Sequence, residues 1–409
     1  MKYLPLRIRR FCAFLTGVVF FISGTFKLLD PVGAALVISD YYKFFHVGFM
    51  DFSSLPVALT LALLETVIGA ALVTGVWRKV TAMAASAFLA FFTLLSLVLV
   101  IFNPKMDCGC FGEVIHLTHL QTFIKNIVLC LLALAAFFPY RDFGRNRKRK
   151  YVSFPLVMIG VVSFTVYSLI FIPLVDYTDF KPASRLLAAE RMHETSGEDM
   201  YEYVLVYEKD GKQKEFSLEN VPDSTWTFVE SKAVLKEGYR QEVYPELSFT
   251  DADGEYRSQL ATGEKVLAVS VYNVRSMSAA RWDRVSVFMQ DAKANGFTPL
   301  LITASYPAGL SAALEKKGVD GQTASFITGN AYYADYKALV SMNRSNAGVT
   351  YFDHGFLVRK WAYAGMPDAS GLEELASGDI TETLLDFSTS GNLTFKGFLL
   401  YCFAVMLLL

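Results

Sequence analysis

Cysteine and charged residues are both scarce in this chain of 409 residues. Five cysteines are too few for the framework of a disulfide-rich secreted protein. Only 19% of the residues are charged and 53% are hydrophobic, which excludes a disordered chain and a collagen-like repeat. The 38 basic and 39 acidic residues give a net charge of −1. No overall field therefore favours a nucleic acid partner.

The apolar residues are concentrated in five stretches that are long enough to cross a membrane. A spanning helix needs about 20 mostly apolar residues, because lipid offers the backbone no hydrogen-bond partners. The five stretches cover residues 11–29, 55–76, 80–102, 118–138 and 151–175. A shorter sixth stretch, 395–409, contains Lys396, and we predict that it also spans. The sequence therefore predicts a membrane protein with a soluble part.

Lysine and arginine in the short loops predict the orientation of these spans. Basic residues cluster at the N-terminus, at positions 78–79 and in the stretch 141–150, and all three regions fall on one side when the spans alternate. We therefore expect a bacterial inner-membrane protein with a cytoplasmic N-terminus and a periplasmic segment 176–392. The first span begins like a signal peptide, but no small-residue cleavage pattern follows it, so we interpret it as a helix.

The long outer segment has the pattern of an α/β fold. Residues 201–216 predict a hairpin with its turn at Asp210-Gly211. Residues 266–272 form a continuous apolar run, which is typical of a buried parallel strand. The elements after it are predicted in the order helix, strand, helix, strand, helix, strand, strand, over residues 278–294, 298–303, 308–317, 324–327, 331–340, 349–352 and 356–361. This order indicates an α/β layer fold that ends in a hairpin.

Cys108 and Cys110 are separated by one residue, Gly109, in the loop between the third and fourth spans. Two thiols this close, facing an oxidising compartment, indicate a redox pair. Gly109 can bend the backbone enough for the two sulfurs to meet, and strained, exposed disulfides are the easily reduced ones. The competing interpretation is a structural bend with two inert cysteines.

Two histidines, His116 and His119, follow the cysteines closely. With Cys108 and Cys110 they make a set of four sulfur and nitrogen ligands that a metal could use. The Cys-x-Cys spacing is less usual for such a site than Cys-x-x-Cys. We therefore predict no metal site.

Glu65 lies near the middle of the second span, where a carboxylate is costly and normally has a partner or a function. Lys125 of the fourth span is one candidate partner, and Lys27 is a shallower alternative. Such a pair could relay protons, or it could only fix the register of the helices. We assign no role to the cysteines inside the spans, because Cys in such places usually acts as a small hydrophobe: Cys12, Cys130 and Cys402.

Several motifs within residues 7–140 resemble those of the MauE/DoxX-like membrane proteins, the family of the methylamine utilisation protein MauE. They are residues 17–24 with Lys27 and Asp30-Pro31-Val32-Gly33, Glu65 with Gly69, residues 107–112 and residues 117–128. The resemblance implies a four-helix membrane bundle akin to other thiol-redox proteins. It also implies a link to disulfide formation in a periplasmic dehydrogenase subunit, as for MauE, or to quinone-coupled sulfur oxidation, as for DoxX relatives.

The soluble segment resembles the thioredoxin-like domains that are fused to bacterial DoxX-like proteins. Residues 207–211, 224–228 and 344–348 carry this resemblance. Residues 272–278, where a thioredoxin has its Cys-x-x-Cys, contain no cysteine, and Ala347 stands where thioredoxins place a cis-proline. An X–Ala bond strongly prefers the trans form. We therefore expect a redox-inactive docking module.

The predicted fold class is a membrane α-helical bundle, with a four-helix MauE/DoxX-like core plus additional spans, joined to an α/β thioredoxin-like soluble domain. The predicted parts are a four-span domain, a basic cytoplasmic loop with the fifth span, a β-rich periplasmic segment, a thioredoxin-like domain without Cys-x-x-Cys, and a linker with the C-terminal membrane segment. Their boundaries are 1–140, 141–175, 176–245, 246–370 and 371–409.

The leading hypothesis is an inner-membrane thiol–disulfide oxidoreductase. Cys108 and Cys110 would relay electrons between a periplasmic protein partner and a membrane carrier, for which a quinone is the candidate, and Glu65 would handle protons. No other cofactor is expected. The alternative is a non-enzymatic scaffold subunit of a cell-envelope complex, with a structural cysteine pair and a degenerate docking domain. A third interpretation, a transporter or metal handler, uses His116 and His119.

Overall fold

The computed structural model consists of a helical bundle followed by a mixed α/β part. It describes residues 4–113, 115, 117–138, 150–173, 176–188, 201–209, 212–217, 222, 226–235 and 244–408. The helices of the bundle are α1 (Leu6–Leu29), α2 (Pro31–Phe44), α3 (Ser54–Thr74), α4 (Arg78–Phe102), α5 (His119–Phe137) and α6 (Lys150–Ile170). A 3₁₀ helix, Gly48–Ser53, leads into α3, and a short strand β1, Cys110–Glu113, precedes α5.

In the part of the chain that the structure describes, five helices are long and apolar enough to cross a membrane: α1, α3 with its preceding 3₁₀ helix, α4, α5 and α6. The predicted membrane bundle is therefore confirmed, and the chain is an integral membrane protein. Helix α2 was not predicted. Asp30 caps it by accepting a hydrogen bond from the backbone N–H of Gly33, and Pro31 occupies its first turn.

Helices α1 and α3 pack closely because glycine lines their contact. Gly17 and Gly24 of α1 face α3, and Gly69 of α3 faces the backbone of Phe21. A Cβ atom at any of these three positions would lie less than 3.0 Å from an atom of the opposite helix. Lipid supplies no hydrophobic driving force between helices, so small residues that allow this approach favour association.

The first sheet of the α/β part is small and antiparallel, with the order β3–β2–β4. Its strands are β2 (Tyr201–Lys209), β3 (Lys212–Ser217) and β4 (Thr227–Leu235). Strands β2 and β3 pair from Val204 with Ser217 to Lys209 with Lys212. This register confirms the predicted hairpin, whose turn residues 210–211 lie outside the described residues.

The second sheet has six strands in the order β10–β9–β6–β7–β8–β5. The strands are β5 (Phe249–Thr250), β6 (Val266–Val271), β7 (Thr298–Thr303), β8 (Ala331–Ala334), β9 (Gly348–Asp353) and β10 (Phe356–Trp361). Strands β6, β7 and β8 are parallel, whereas β5, β9 and β10 join the sheet antiparallel. All of β6 is buried, with Leu267 and Val269 in one core and Val266 and Ala268 in another. The predicted α/β layer fold is confirmed.

Within the described residues, six helices follow the first strands of this sheet: α7 (Ala279–Ala294), α8 (Pro307–Lys316), α9 (Gly321–Gly329), α10 (Tyr336–Met342), α11 (Ala369–Ser377) and α12 (Ile380–Leu408). Two predicted elements were wrong. The strand predicted at 324–327 belongs to α9, which Asp320 caps, and the helix predicted at 331–340 begins as β8 before Asp335 caps α10. Short apolar runs do not distinguish a helix from a strand. The positions of the two capping aspartates determine where the helices begin.

The C-terminal helix α12 connects the large sheet with the bundle. Ile380 and Leu384 in its first turns pack against the core that contains Leu267. Further along, the ring of Phe398 stacks on Phe164 of α6, with centroids 4.0 Å apart. The predicted linker before the C-terminal segment is therefore helical. The apolar portion of α12 is shorter than the five candidate spans, so the sixth span stays a prediction.

A buried ion pair joins the α/β part to the bundle. Arg344, in the loop before β9, places Nη2 2.8 Å from Oδ2 of Asp30, and both side chains are only 5% exposed. Arg344 also donates to the carbonyl of Val340. A second pair, Lys337 with Asp40 at 2.8 Å, is more exposed. Helix α2 thus contacts the loop and the helix that precede β9 at two points, its N-cap Asp30 and Asp40 in its second half.

Loss of Arg344 is expected to destabilise the protein more than loss of Lys337. Arg344→Met leaves the Asp30 carboxylate buried without its charged partner, which costs about 3–5 kcal/mol. The exposed Lys337 pair contributes less than about 1 kcal/mol, so Lys337→Met is the matched control. The measurement is the free energy of unfolding of the purified full chain in detergent, by denaturant titration. Asp30→Asn should recover part of the loss in the Arg344→Met background. Equal effects of the two single substitutions would contradict the structural role of the buried pair.

Candidate functional site

Cys108 and Cys110 lie in the loop between α4 and α5, at the end of the bundle where α2 and the α/β part are. Both are free thiols, and Cys108 is buried while Cys110 is partly exposed. Gly109 between them has a φ of +61°, a left-handed conformation that favours glycine. A Cβ atom at this position would also clash with Val37 of α2. The turn between the two thiols therefore requires glycine for two separate reasons.

Cys108 is held in place by α2 and α5. Its Sγ lies 2.8 Å from the carbonyl oxygen of Leu117 and 3.0 Å from Oγ1 of Thr122. The hydroxyl of Tyr41 donates to the Cys108 carbonyl at 3.1 Å. Thr122 is placed by the start of α5, which a capping box fixes at Thr118. Side chain and backbone of Cys108 are thus both fixed by hydrogen bonds.

A series of polar side chains connects Glu65 to the backbone of Cys110. Lys27 Nζ lies 2.5 Å from Glu65 Oε2 and 3.4 Å from Ser23 Oγ. Ser23 Oγ in turn donates to the Cys110 carbonyl at 2.5 Å. Ser23 and Lys27 are four residues apart and share one face of α1. Glu65 is thus paired with Lys27, the shallower of its two predicted partners, and not with Lys125.

Lys125 faces the cysteine loop. Its Nζ lies 4.9 Å from the centroid of the Phe111 ring, and its ammonium interacts with Cys110. Lys125 and Thr122 are three residues apart, so both project towards the loop from one face of α5. The similar depth of Lys125 and Glu65 in the membrane predicted that they could pair. Depth alone does not determine the direction in which a side chain points from its helix, and Lys125 points to the cysteine loop.

The environment makes the two thiols differ in acidity. The hydrogen bond with Cys108, followed by the positive charges of Lys125 and Lys27, lowers the pKa of Cys110 to about 5, although burial acts in the opposite direction. The same hydrogen bond, together with burial, raises the pKa of Cys108 far above its ordinary value. Both shifts favour Cys110 as the thiolate of the pair and Cys108 as the thiol.

The structure describes three of the four residues of the metal interpretation, Cys108, Cys110 and His119. Within the described part of the chain, no group of three or more His, Cys, Asp or Glu side chains is placed to hold a metal ion. His119 uses Nε2 for a hydrogen bond of 2.9 Å with the carbonyl of Pro104. His116 lies outside the described residues.

The loops at the thioredoxin redox and cis-proline positions are bound to each other. Asn346 Nδ2 donates to the Asn273 carbonyl and to Ser276 Oγ, both at 2.9 Å, and so closes the turn that follows β6. Ala347, directly before β9, is buried with a φ of +63°. Arg344 in the same loop forms the ion pair with the bundle. This face of the α/β part is therefore directed at the protein's own membrane part.

A mostly apolar cavity of about 90 Å³ lies inside the bundle beside the cysteines. Cys108, Cys110, Lys27, Lys125 and Glu65 form its polar side. Aromatic and aliphatic side chains of α1, α4 and α5 form its apolar wall, among them Phe20, Phe88, Phe92 and Leu129. A small apolar molecule within the bundle would thus contact the thiols and two ammonium groups at once.

Three residues of this site were not among the predicted ones: Ser23, Tyr41 and Thr122. Helical spacing could have indicated two of them, because Ser23 precedes Lys27 by four residues and Thr122 precedes Lys125 by three. Tyr41 belongs to α2, which the sequence pattern did not reveal, so nothing in the pattern pointed to it.

Alkylation of Cys110 is expected to reach half of its maximal rate near pH 5, because the thiolate is the reactive form. Cys108→Ala should raise the pKa of Cys110, since it removes the hydrogen bond that lowers this pKa most. Cys108→Ser keeps a hydroxyl donor and should raise it less. The measurement is the pH dependence of iodoacetamide labelling of the purified full chain, read by mass spectrometry on the Cys110 peptide. A wild-type midpoint at about pH 8.5, the ordinary pKa of cysteine, would contradict the electrostatic account.

Comparison with known proteins gives two family matches. Residues 5–139 match the family model described as methylamine utilisation protein MauE, and residues 201–238 match one described as a domain of unknown function. Among curated proteins, Protein TlpB of Flavobacterium psychrophilum is 28% identical over 176 residues, which are 41% of this chain and 44% of that relative. The match thus spans less than half the length of the relative. No solved structure matches the chain. Residues 5–139 therefore match the MauE family, which confirms the resemblance predicted from the sequence.

Proposed function

We propose that the protein is a membrane thiol–disulfide oxidoreductase whose Cys108–Cys110 pair exchanges electrons with a periplasmic protein partner. The observation that carries this proposal is the unequal pair: a partly exposed Cys110 of low pKa beside a buried Cys108 of high pKa. Exchange needs one nucleophilic thiolate and one thiol that resolves the mixed disulfide. The match of residues 5–139 to the MauE family supports the same class of function.

The exchange begins at Cys110. Its thiolate attacks one sulfur of a partner disulfide, an S–S bond forms to Cys110, and the other partner sulfur leaves as a thiolate. Cys108 then loses its proton and attacks Cys110 Sγ, so that the Cys108–Cys110 bond forms and the second partner sulfur leaves. The partner gains two electrons, and the pair loses them. The pair releases one proton, from Cys108, and the second proton that the partner's two thiols need comes from solvent. Thiol–disulfide exchange is reversible. The Cys108–Cys110 disulfide can therefore also react with a partner dithiol, which becomes oxidised while the pair is reduced.

The charged residues around the pair have separate roles in this proposal. Lys125 and Lys27 stabilise the Cys110 thiolate by their positive charge. Glu65 holds Lys27 at 2.5 Å and is a positioning residue. The polar series that starts at Glu65 ends on the Cys110 carbonyl and not on a sulfur. We therefore assign Glu65 this positioning role in place of the proton transfer expected from the sequence.

A quinone-type carrier is the candidate for electron exchange from the membrane side. The cavity beside the cysteines fits such a molecule in chemistry, because an apolar wall faces the thiols, Lys27 and Lys125. The two ammonium groups would hold its oxygens, and Phe88 and Phe92 would contact its ring. A bound quinone would accept two electrons and two protons, and its reduced form would supply them.

In the proposed orientation, the cysteine loop lies on the periplasmic side of a bacterial inner membrane. Arg9, Arg10, Arg78 and Lys150 surround one end of the bundle, and the cysteines lie at the other. Basic residues concentrate on the cytoplasmic side of membrane proteins. The pair and the α/β part then face the compartment in which disulfides form and persist.

A scaffold subunit of an envelope complex is the second candidate function. It is favoured by the α/β part, which has no cysteine from residue 265 to 361 and which turns its Ala347 loop towards the bundle. In a scaffold, the cysteine pair would only stabilise the loop between α4 and α5.

Trapping of a mixed disulfide separates the two candidates. Cys108→Ser removes the resolving thiol and should accumulate a covalent complex between Cys110 and its partner, whereas Cys110→Ser should accumulate none. The measurement is a non-reducing gel of acid-quenched, alkylated cells that express the full chain, with mass spectrometry of shifted bands. Cys130→Ser is the matched control, since that thiol lies 3.3 Å from Thr93 within the bundle. Complexes in neither variant, or equally in both, would favour the scaffold.

A further inference from the structure

A second cavity, of about 240 Å³, opens at the end of the bundle opposite to the cysteines. It lies where the starts of α1, α4 and α6 meet the ends of α3 and α5. Four basic side chains line it, namely Arg9, Arg10, Arg78 and Lys150, and no acidic residue is among its described lining. The thiol chemistry proposed above uses none of these residues.

Arg9 is fixed at this cavity by neutral partners. It is only 7% exposed, and it donates to the carbonyl of Ala136 at 3.0 Å and to that of Phe137 at 3.3 Å. These carbonyls belong to the end of α5, where the helix dipole is negative. They hold the guanidinium in place, but they carry no net charge and so do not neutralise it. A guanidinium has five N–H donors, and these two bonds use only part of that capacity.

Arg78 and Arg10 bring two more positive charges to the same cavity. Arg78 Nε donates to the carbonyl of Gly75 at 3.1 Å, and Arg10 lies close enough for the two positive charges to interact. Positive charges gathered around one cavity create a positive potential there, which attracts an anion. The preferred ligand of such a group is a phosphate, which arginine binds through paired N–H groups.

We propose that this cavity is a binding site for a phosphate group, carried by an anionic phospholipid or by a soluble phosphate compound. The walls favour the lipid, because Phe14, Leu72 and Phe137 line the cavity beside the arginines. An acyl chain would lie along these apolar side chains while the headgroup phosphate contacts Arg9, Arg10 and Arg78. Basic pockets between spanning helices on the cytoplasmic side bind anionic headgroups in this way.

The test compares lipids on the purified full chain in neutral detergent. Phosphatidylglycerol should raise the thermal midpoint and stay bound in native mass spectrometry, whereas phosphatidylcholine at the same concentration should do neither. Inorganic phosphate is the third probe. If it raises the midpoint and displaces phosphatidylglycerol, the site takes phosphate from solution as well. If phosphatidylglycerol and phosphatidylcholine bind equally and phosphate has no effect, the proposal fails.

Two double variants test whether phosphatidylglycerol binds in this cavity. Arg10→Gln with Arg78→Gln removes two charges from the cavity and should weaken phosphatidylglycerol binding at least tenfold. Arg7→Gln with Lys79→Gln removes two exposed charges that do not line the cavity and should leave the affinity within twofold of wild type. Arg10→Gln alone, at an exposed position, should weaken binding severalfold, and it serves if the double variant does not fold. Equal weakening by both pairs would show diffuse surface attraction and overturn the site. Labelling of Cys110 reports folding in each variant.

Discussion

A buried contact between the two halves of this molecule centres on one carboxylate, that of Asp30. One of its oxygens caps α2, and the other receives Arg344 from the loop before β9. Helix α2 then supplies Tyr41, which fixes the backbone of Cys108, and Val37, which requires glycine at position 109. Docking of the α/β part and the shape of the cysteine turn therefore depend on the same helix start. A buried pair of this kind contributes little net stability, but loss of either partner is costly.

The second constraint is the placement of charge around one thiolate. Cys110 sits at the edge of an apolar cavity, where an isolated negative charge would be unfavourable. Lys125 and Lys27 offset that cost, and Glu65 balances Lys27 deeper in the bundle. The arrangement places one activated thiol next to an inactive one within a three-residue turn. The proposed redox chemistry thus lies in the membrane part, and the α/β part, which has no cysteine from residue 265 to 361, contacts the neighbouring helix α2.

The sequence pattern predicted the long-range architecture better than the local contacts of the site. Long apolar runs identified five spans, because a membrane demands that length, and the buried strand β6 was visible as an unbroken apolar run. Cys108, Cys110 and Glu65 were recognisable as costly or reactive groups. Their partners were recognisable only in part: Lys27 was one of two candidates for Glu65, and the rotation of α1 and α5 about their axes decides that Lys27 reaches Glu65 and Lys125 reaches Cys110. Helices α2 and α9 were missed since each depends on an aspartate cap in a short, ambiguous stretch.

The central claim is that the Cys108–Cys110 pair cycles between dithiol and disulfide. Its most direct test is the reduction potential of the pair in the purified full chain, by thiol trapping across glutathione and dithiothreitol ratios. The account predicts a reversible midpoint well above about −300 mV, the region below which structural disulfides typically lie. A pair that never closes, or that closes and then resists reduction, would contradict it.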